Sequence, residues 1–161
     1  ILPPHAPAGR APTGPESSMV QLVPRLALAL VLALPGLAAR AEPVVEDPWI
    51  REAPPGRDLT AAYLRIHNPD AEELTLVAAA CPAAGRVELH EHRHEDGMMR
   101  MRQVERVVVP AGETVAFEPG GLHLMLFAWD GRPAGSRVPL TLVTGTGETL
   151  ELEATVRRGG P

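Results

Sequence analysis

Apolar residues recur along this chain in short runs, each closed by a turn-forming cluster, and beyond Pro43 no stretch keeps a helical period. Thr60 to His67 alternates and stops at Asn68-Pro69-Asp70, while Leu74 to Ala80 is apolar and stops at Cys81-Pro82. Val87 to His94 and Met98 to Val109 flank Asp96-Gly97, a strong signal for a two-residue hairpin loop. Glu113 to Phe117 ends at Pro119-Gly120-Gly121, Leu122 to Trp129 at Asp130-Gly131, and Val138 to Thr144 at Gly145; Thr149 to Val156 closes the series. Trp49-Ile50-Arg51, ahead of Pro54-Pro55-Gly56, predicts a short edge strand. Short strands with regular turns predict an all-β domain, an antiparallel sandwich or barrel.

Strand parity sorts the side chains, because alternate residues face opposite sides. Leu122, Leu124 and Leu126 share one face, and His123 and Met125 the other. Val87 and Leu89 take the apolar face of their strand, with His90 opposite. If Asp96-Gly97 is the hairpin loop, Glu95 pairs with Met98, His92 lies across from Met101, and His90 across from Gln103. His90 and Met101 are then diagonal neighbours within reach of each other. Such a face, turned away from the leucine core, is expected to lie near solvent. A further fold step must bring His123 and Met125 alongside.

The N-terminal part has a different texture. Ile1 to Ser18 contains five prolines and precedes the first methionine, Met19, which reads as a mis-set start. From Met19, Arg25 supplies a short positive region, Leu26 to Leu34 an unbroken apolar run, and Ala39-Arg40-Ala41 a small-x-small cleavage signal. Residues 19–41 therefore predict a secretory signal peptide cut after Ala41, leaving residues 42–161 as a single domain. The run is shorter than the roughly 20 residues of a membrane span. No cysteine stands beside the cleavage point, so lipid anchoring finds no support there.

Composition narrows the function. The formal net charge of −5 argues against a nucleic-acid partner, which calls for a basic stripe. The single cysteine, Cys81, excludes an intramolecular disulfide and a multi-cysteine zinc site, and reads as a buried structural thiol. Four of the six His and four of the five Met fall between Val87 and Met125, so the clustering asks for an explanation. Imidazole with thioether is the ligand set of a soft, late metal ion, above all Cu(I).

Within that segment His90, Met101, His123 and Met125 satisfy the spacing His-x10-Met-x21-His-x-Met. Around them stand Val-Glu-Leu-His at 87–90, Asp-Gly-Met-Met-Arg-Met at 96–101, Val-Pro-Ala-Gly at 109–112 and Pro-Gly-Gly-Leu-His-Leu-Met-Leu at 119–126. In these features the chain resembles the periplasmic copper chaperones of the PCuAC family. The resemblance runs from about Pro48 to Val156 in strand and turn order. It implies a cupredoxin-like Greek-key β-sandwich in the periplasm, binding one Cu(I) per chain through His90, Met101, His123 and Met125. It further implies copper delivery to the dinuclear copper centre of cytochrome c oxidase, with a thioredoxin-like thiol partner. A second copper site, held in some members by a His/Met-rich tail, finds no residues in Arg157 to Pro161.

The remaining donors stay open. His92, His94 and Met99 share the parity of the motif residues and are secondary ligand candidates. The favoured alternative makes the two histidines solvated residues beside a turn, and Met98 and Met99 packing residues. His67 takes a structural role at a strand end, and His5 lies in the leader. Three other functions compete. A copper buffer for tolerance would use the same ligands without a dedicated acceptor. A blue-copper electron carrier needs a thiolate beside two imidazoles, and no cysteine stands between Gly120 and Met125. A zinc hydrolase could recruit Glu88, Glu91, Glu95 or Asp96, but no His-Glu-x-x-His motif is present and the chain is read as a non-enzyme.

Overall fold

The computed structural model describes residues 40–95 and 97–159. The leader at 1–18, residues 19–39 of the signal segment, and Asp96 in the hairpin loop lie outside them. The strands are β1 (Val44–Arg51), β2 (Leu59–His67), β3 (Leu74–Ala80), β4 (Arg86–Glu95), β5 (Met98–Gln103), β6 (Val107–Val109), β7 (Thr114–Phe117), β8 (Leu122–Phe127), β9 (Arg137–Thr144) and β10 (Thr149–Arg157). They form one continuous sheet in the order β5-β4-β8-β7-β2-β1-β10-β9-β3-β6, with β8 also pairing with β2. The sheet curls so that β3 packs against β4, giving the all-β, sandwich-like architecture that the strand pattern predicts. Among the described residues no helix is long and apolar enough to cross a membrane.

The core is aliphatic, as the scarcity of aromatic residues requires. Ile50, Leu64, Leu76, Leu124, Leu126 and Leu140 are all fully buried within it. Each such side chain contributes about 1.5–3 kcal/mol of transfer free energy. Cys81 belongs to the same cluster, and burial pushes its thiol up from the ordinary cysteine range.

Three expectations need correction. First, Trp49-Ile50-Arg51 is not a short edge strand: β1 begins at Val44 and lies in the interior, between β2 and β10. Its register shifts between Glu46 and Trp49, where Asp47 adopts φ 46° and Pro48 has no N–H to pair. That bulge breaks the alternation from which a strand is read. Second, Met98 to Val109 is two strands. The exposed β5 stays on β4, and the chain then crosses to lay β6 against β3, burying Val107 and Val109. Third, the sheet is mixed, because β1 pairs with β10 and β7 with β8 in parallel.

The β4–β8 pairing is the step that completes the donor face. It starts at Gly85, whose N–H donates to the Phe127 carbonyl at 2.9 Å. A Cβ at Gly85 would sit 3.0 Å from that of Ala128, so the two backbones approach this closely only because the side chain is absent. At the other end of β4, Gly97 takes φ 76°, as a tight hairpin turn demands.

Candidate metal centre

Strands β5, β4 and β8 lie side by side, and their register decides which side chains meet. His90 on β4 stands directly across from His123 on β8, and on its other side from Gln103 on β5. One row along, His92 pairs with Met101; one row back, Glu88 pairs with Met125. The hairpin register is the one read from the Asp96-Gly97 turn. Leu89 pairs with Leu124 on the opposite face, in the core.

The donor face is better covered than strand parity suggests. Tyr63 of β2 lies beside His123, ring centroids 6.5 Å apart, and stacks in turn on Trp49. His123 is 2% exposed and His90 9%, whereas Met101 is 46% exposed. The expectation of a face near solvent therefore holds for the Met101 thioether and fails for the two imidazoles. Met125 is half-buried two residues along β8 from His123, in the row of Glu88 and beside Ala61 of β2.

Hydrogen bonds settle which ring nitrogens are free. His123 Nδ1 lies 3.0 Å from the Gly121 carbonyl oxygen. A carbonyl only accepts, so Nδ1 carries the proton and Nε2 keeps its lone pair. That Nε2 faces Met101 Sδ at 3.2 Å. Neither atom has a hydrogen to offer the other, so two lone pairs point at one another, an arrangement that a cation between them would satisfy. His90 Nε2 donates to a Glu88 carboxylate oxygen at 2.9 Å, so in the neutral ring Nδ1 is the lone-pair nitrogen, buried and without a hydrogen-bond partner. A buried polar atom without a partner is costly unless something else binds there. Both orienting groups escape motif reading, although Glu88 shares the parity of His90 and was detectable on that ground.

For His92 the secondary-ligand candidacy stays open, and the favoured alternative of a solvated residue beside a turn fails. The residue is half-buried, its ring stacks on His123 with centroids 4.8 Å apart and an interplanar angle of 26°, and its Nδ1 is buried without a partner. Its register opposite Met101 carries it into the cluster, so it is not a solvated turn residue. His94 is exposed. Met98 and Met99 are also exposed, contrary to the expectation that they pack. His67 accepts a structural role, with Nδ1 3.1 Å from the Thr114 hydroxyl.

Among the described residues, no group of three or more His, Cys, Asp or Glu is placed to hold a metal ion. A donor set here is complete only when the thioethers are counted. That chemistry suits Cu(I) and disfavours zinc, for which carboxylate, imidazole and thiolate are the usual ligands.

Burial, with smaller repulsion from His92 and His90, lowers the pKa of His123 against the opposing hydrogen bond to Gly121. Its folded value lies below the unfolded value near about 6.5, so the unfolded chain binds more protons as pH falls. The resulting stabilisation is complete above that pH and is lost as pH drops through the window below it. Urea unfolding of the metal-free protein at pH 7.5 and 5.5 should show a smaller loss of midpoint for His123→Gln than for the parent. Equal losses would remove His123 from the pH dependence.

Comparisons with known proteins match the fold and the family. The family model described as "Putative lipoprotein LpqE-like" matches residues 44–156. A "Putative lipoprotein" of Leifsonia xyli subsp. xyli is 30% identical over 115 residues, covering 70% of this chain and 68% of its own. The metal-free PCuAC domain from PmoF1 superposes with a TM-score of 0.63 at 21% identity, over 75% of this chain and 98% of its own. The Cu(I) form of DR1885 from Deinococcus radiodurans gives a TM-score of 0.60 at 32% identity, over 72% and 78% of the two chains.

Proposed function

The chain belongs to the LpqE-like family and has the fold of PCuAC copper-chaperone domains, and from that premise we propose that it is a periplasmic Cu(I) metallochaperone. It carries one Cu(I) on His90, Met101, His123 and Met125, and delivers it to the dinuclear copper centre of cytochrome c oxidase. A thioredoxin-like thiol protein is the proposed partner in that delivery. The observation that carries the reading is the contact between His123 Nε2 and Met101 Sδ, two lone-pair atoms at 3.2 Å with the free Nδ1 of His90 in the adjoining ring.

The chemistry fits cargo handling. Thioethers are neutral and soft, so they hold Cu(I) in preference to Cu(II) or zinc. Unlike cysteines, they are not lost to disulfides in an oxidising compartment. A Cu(I) ion held by Met101 on the open side and imidazoles on the buried side can leave by exchanging one ligand at a time. The Cu(I) form of the Deinococcus relative supports the choice of ion.

Export is supported by the apolar run Leu26 to Leu34 with Ala39-Arg40-Ala41, and by the lipoprotein names of the relatives. The Cys81 thiol is buried in the core. That buried, protonated thiol disfavours the blue-copper reading.

Anaerobic titration against a Cu(I) chelator should find one tight site per chain. Preferential binding of zinc, or an intense blue band with Cu(II), would overturn the reading. A deletion strain grown at low copper should lose oxidase activity and regain it when copper is added. Copper sensitivity with normal oxidase activity would replace delivery by buffering.

A further inference from the structure

The donor face does not end at His90 and His123. The β4–β5 hairpin extends it outward in two rungs, His92 across from Met101 and His94 across from Met99. Each rung sets one imidazole opposite one thioether. The other face of the same hairpin is given to charge: Arg93 pairs with Glu91 at 2.6 Å and Arg102 with Glu95 at 2.6 Å. Met98 falls on that charged face, opposite Glu95, so the sorting is by parity and not a general enrichment in methionine.

Exposure rises along the face. His123 and His90 are buried, His92 is half-buried, Met101 is 46% exposed, and His94 and Met99 are open to solvent. The first rung is joined to the inner pair on both sides. His92 stacks on His123 and keeps a buried Nδ1 without a partner, while Met101 Sδ touches His123 Nε2.

We propose that the two rungs are an exit path for Cu(I), from the inner pair through His92 and Met101 to the solvent-exposed His94 and Met99. The proposal rests on the Cu(I) reading above. Successive rungs are about 7 Å apart, two residues along a strand. Met side chains have three rotatable bonds, so a thioether can follow the ion from one rung to the next. In each step one copper–ligand bond forms as another breaks. The ion stays Cu(I) throughout, and no electron or proton moves. The arrangement reconciles a buried holding site with delivery, because the ion need not leave through the packed imidazoles.

The test separates holding from release. The chain is loaded anaerobically with one equivalent of Cu(I), and two quantities are measured with bicinchoninate: the equilibrium affinity, and the rate at which excess chelator strips the ion. In the double variant His94→Ala/Met99→Ala, both altered side chains are exposed, so folding is preserved. Affinity should be unchanged and the stripping rate about tenfold lower, the effect of roughly 1.4 kcal/mol added to the barrier. An unchanged rate overturns the path, and so does a fall in affinity, which would make the outer residues part of the holding site. Failure of the parent to bind Cu(I) would instead sink the functional reading itself.

Discussion

Met101→Ala is expected to lower Cu(I) affinity by at least about 100-fold while leaving the metal-free protein as stable as the parent. Groups that merely orient a ligand are worth about 10–100-fold in metal affinity, so loss of a donor should cost no less. Met101 is 46% exposed on β5, and its truncation removes little packing. The substitution thus separates binding from folding. His123→Ala should lose affinity comparably but also destabilise the fold, since His123 is buried and its removal leaves a cavity and takes one of the two hydrogen bonds to the Gly121 carbonyl. Competition titration and urea unfolding of both variants check the pair. Wild-type affinity in Met101→Ala would remove the thioether from the site, and with it the argument from the facing lone pairs.

Leu124→Ala is expected to destabilise the domain by about 3 kcal/mol, within the roughly 2–5 kcal/mol seen for large-to-small changes in a close-packed core. Leu124 is fully buried on β8, between His123 and Met125 in sequence and on the opposite face from both. It pairs with Leu89 of β4 and Ala62 of β2, so a cavity there opens directly beneath the donor face. The melting temperature should fall by roughly 10 °C for a domain of this size. Leu124→Met, which nearly conserves volume, should cost less than about 1.5 kcal/mol. A loss below 1 kcal/mol for the alanine variant, measured by urea or thermal unfolding, would show that β8 is not the packed centre of the sandwich.

Much of this architecture is legible in the chain. Turn clusters punctuate nearly every strand, and parity already divides Leu122, Leu124 and Leu126 from His123 and Met125. The register of the β4–β5 hairpin follows from Asp96-Gly97 alone, because a two-residue loop leaves no freedom in the pairing. The failures are physical as well. Asp47 and Pro48 form a bulge, which hides the first half of β1 from any reading by alternation. Met98 to Val109 looks continuous because strand propensity carries no information about which neighbour a strand will join. The split appears only once Val107 and Val109 find β3.

The lesson is clearest at the donor face. Local sequence by itself determines which residues share a side of a strand, since the side-chain period is two and the turn sets the register. It therefore determined that His90, His92 and Met101 face one way together, and that His123 and Met125 do so on their own strand. What it does not determine is the pairing of strands distant in the chain or the depth at which a face is buried. Those depend on which neighbours close over it. Only the tertiary structure decided that β8 lies against β4, that Tyr63 and His92 cover His123, and that Glu88 and the Gly121 carbonyl fix which ring nitrogens stay free.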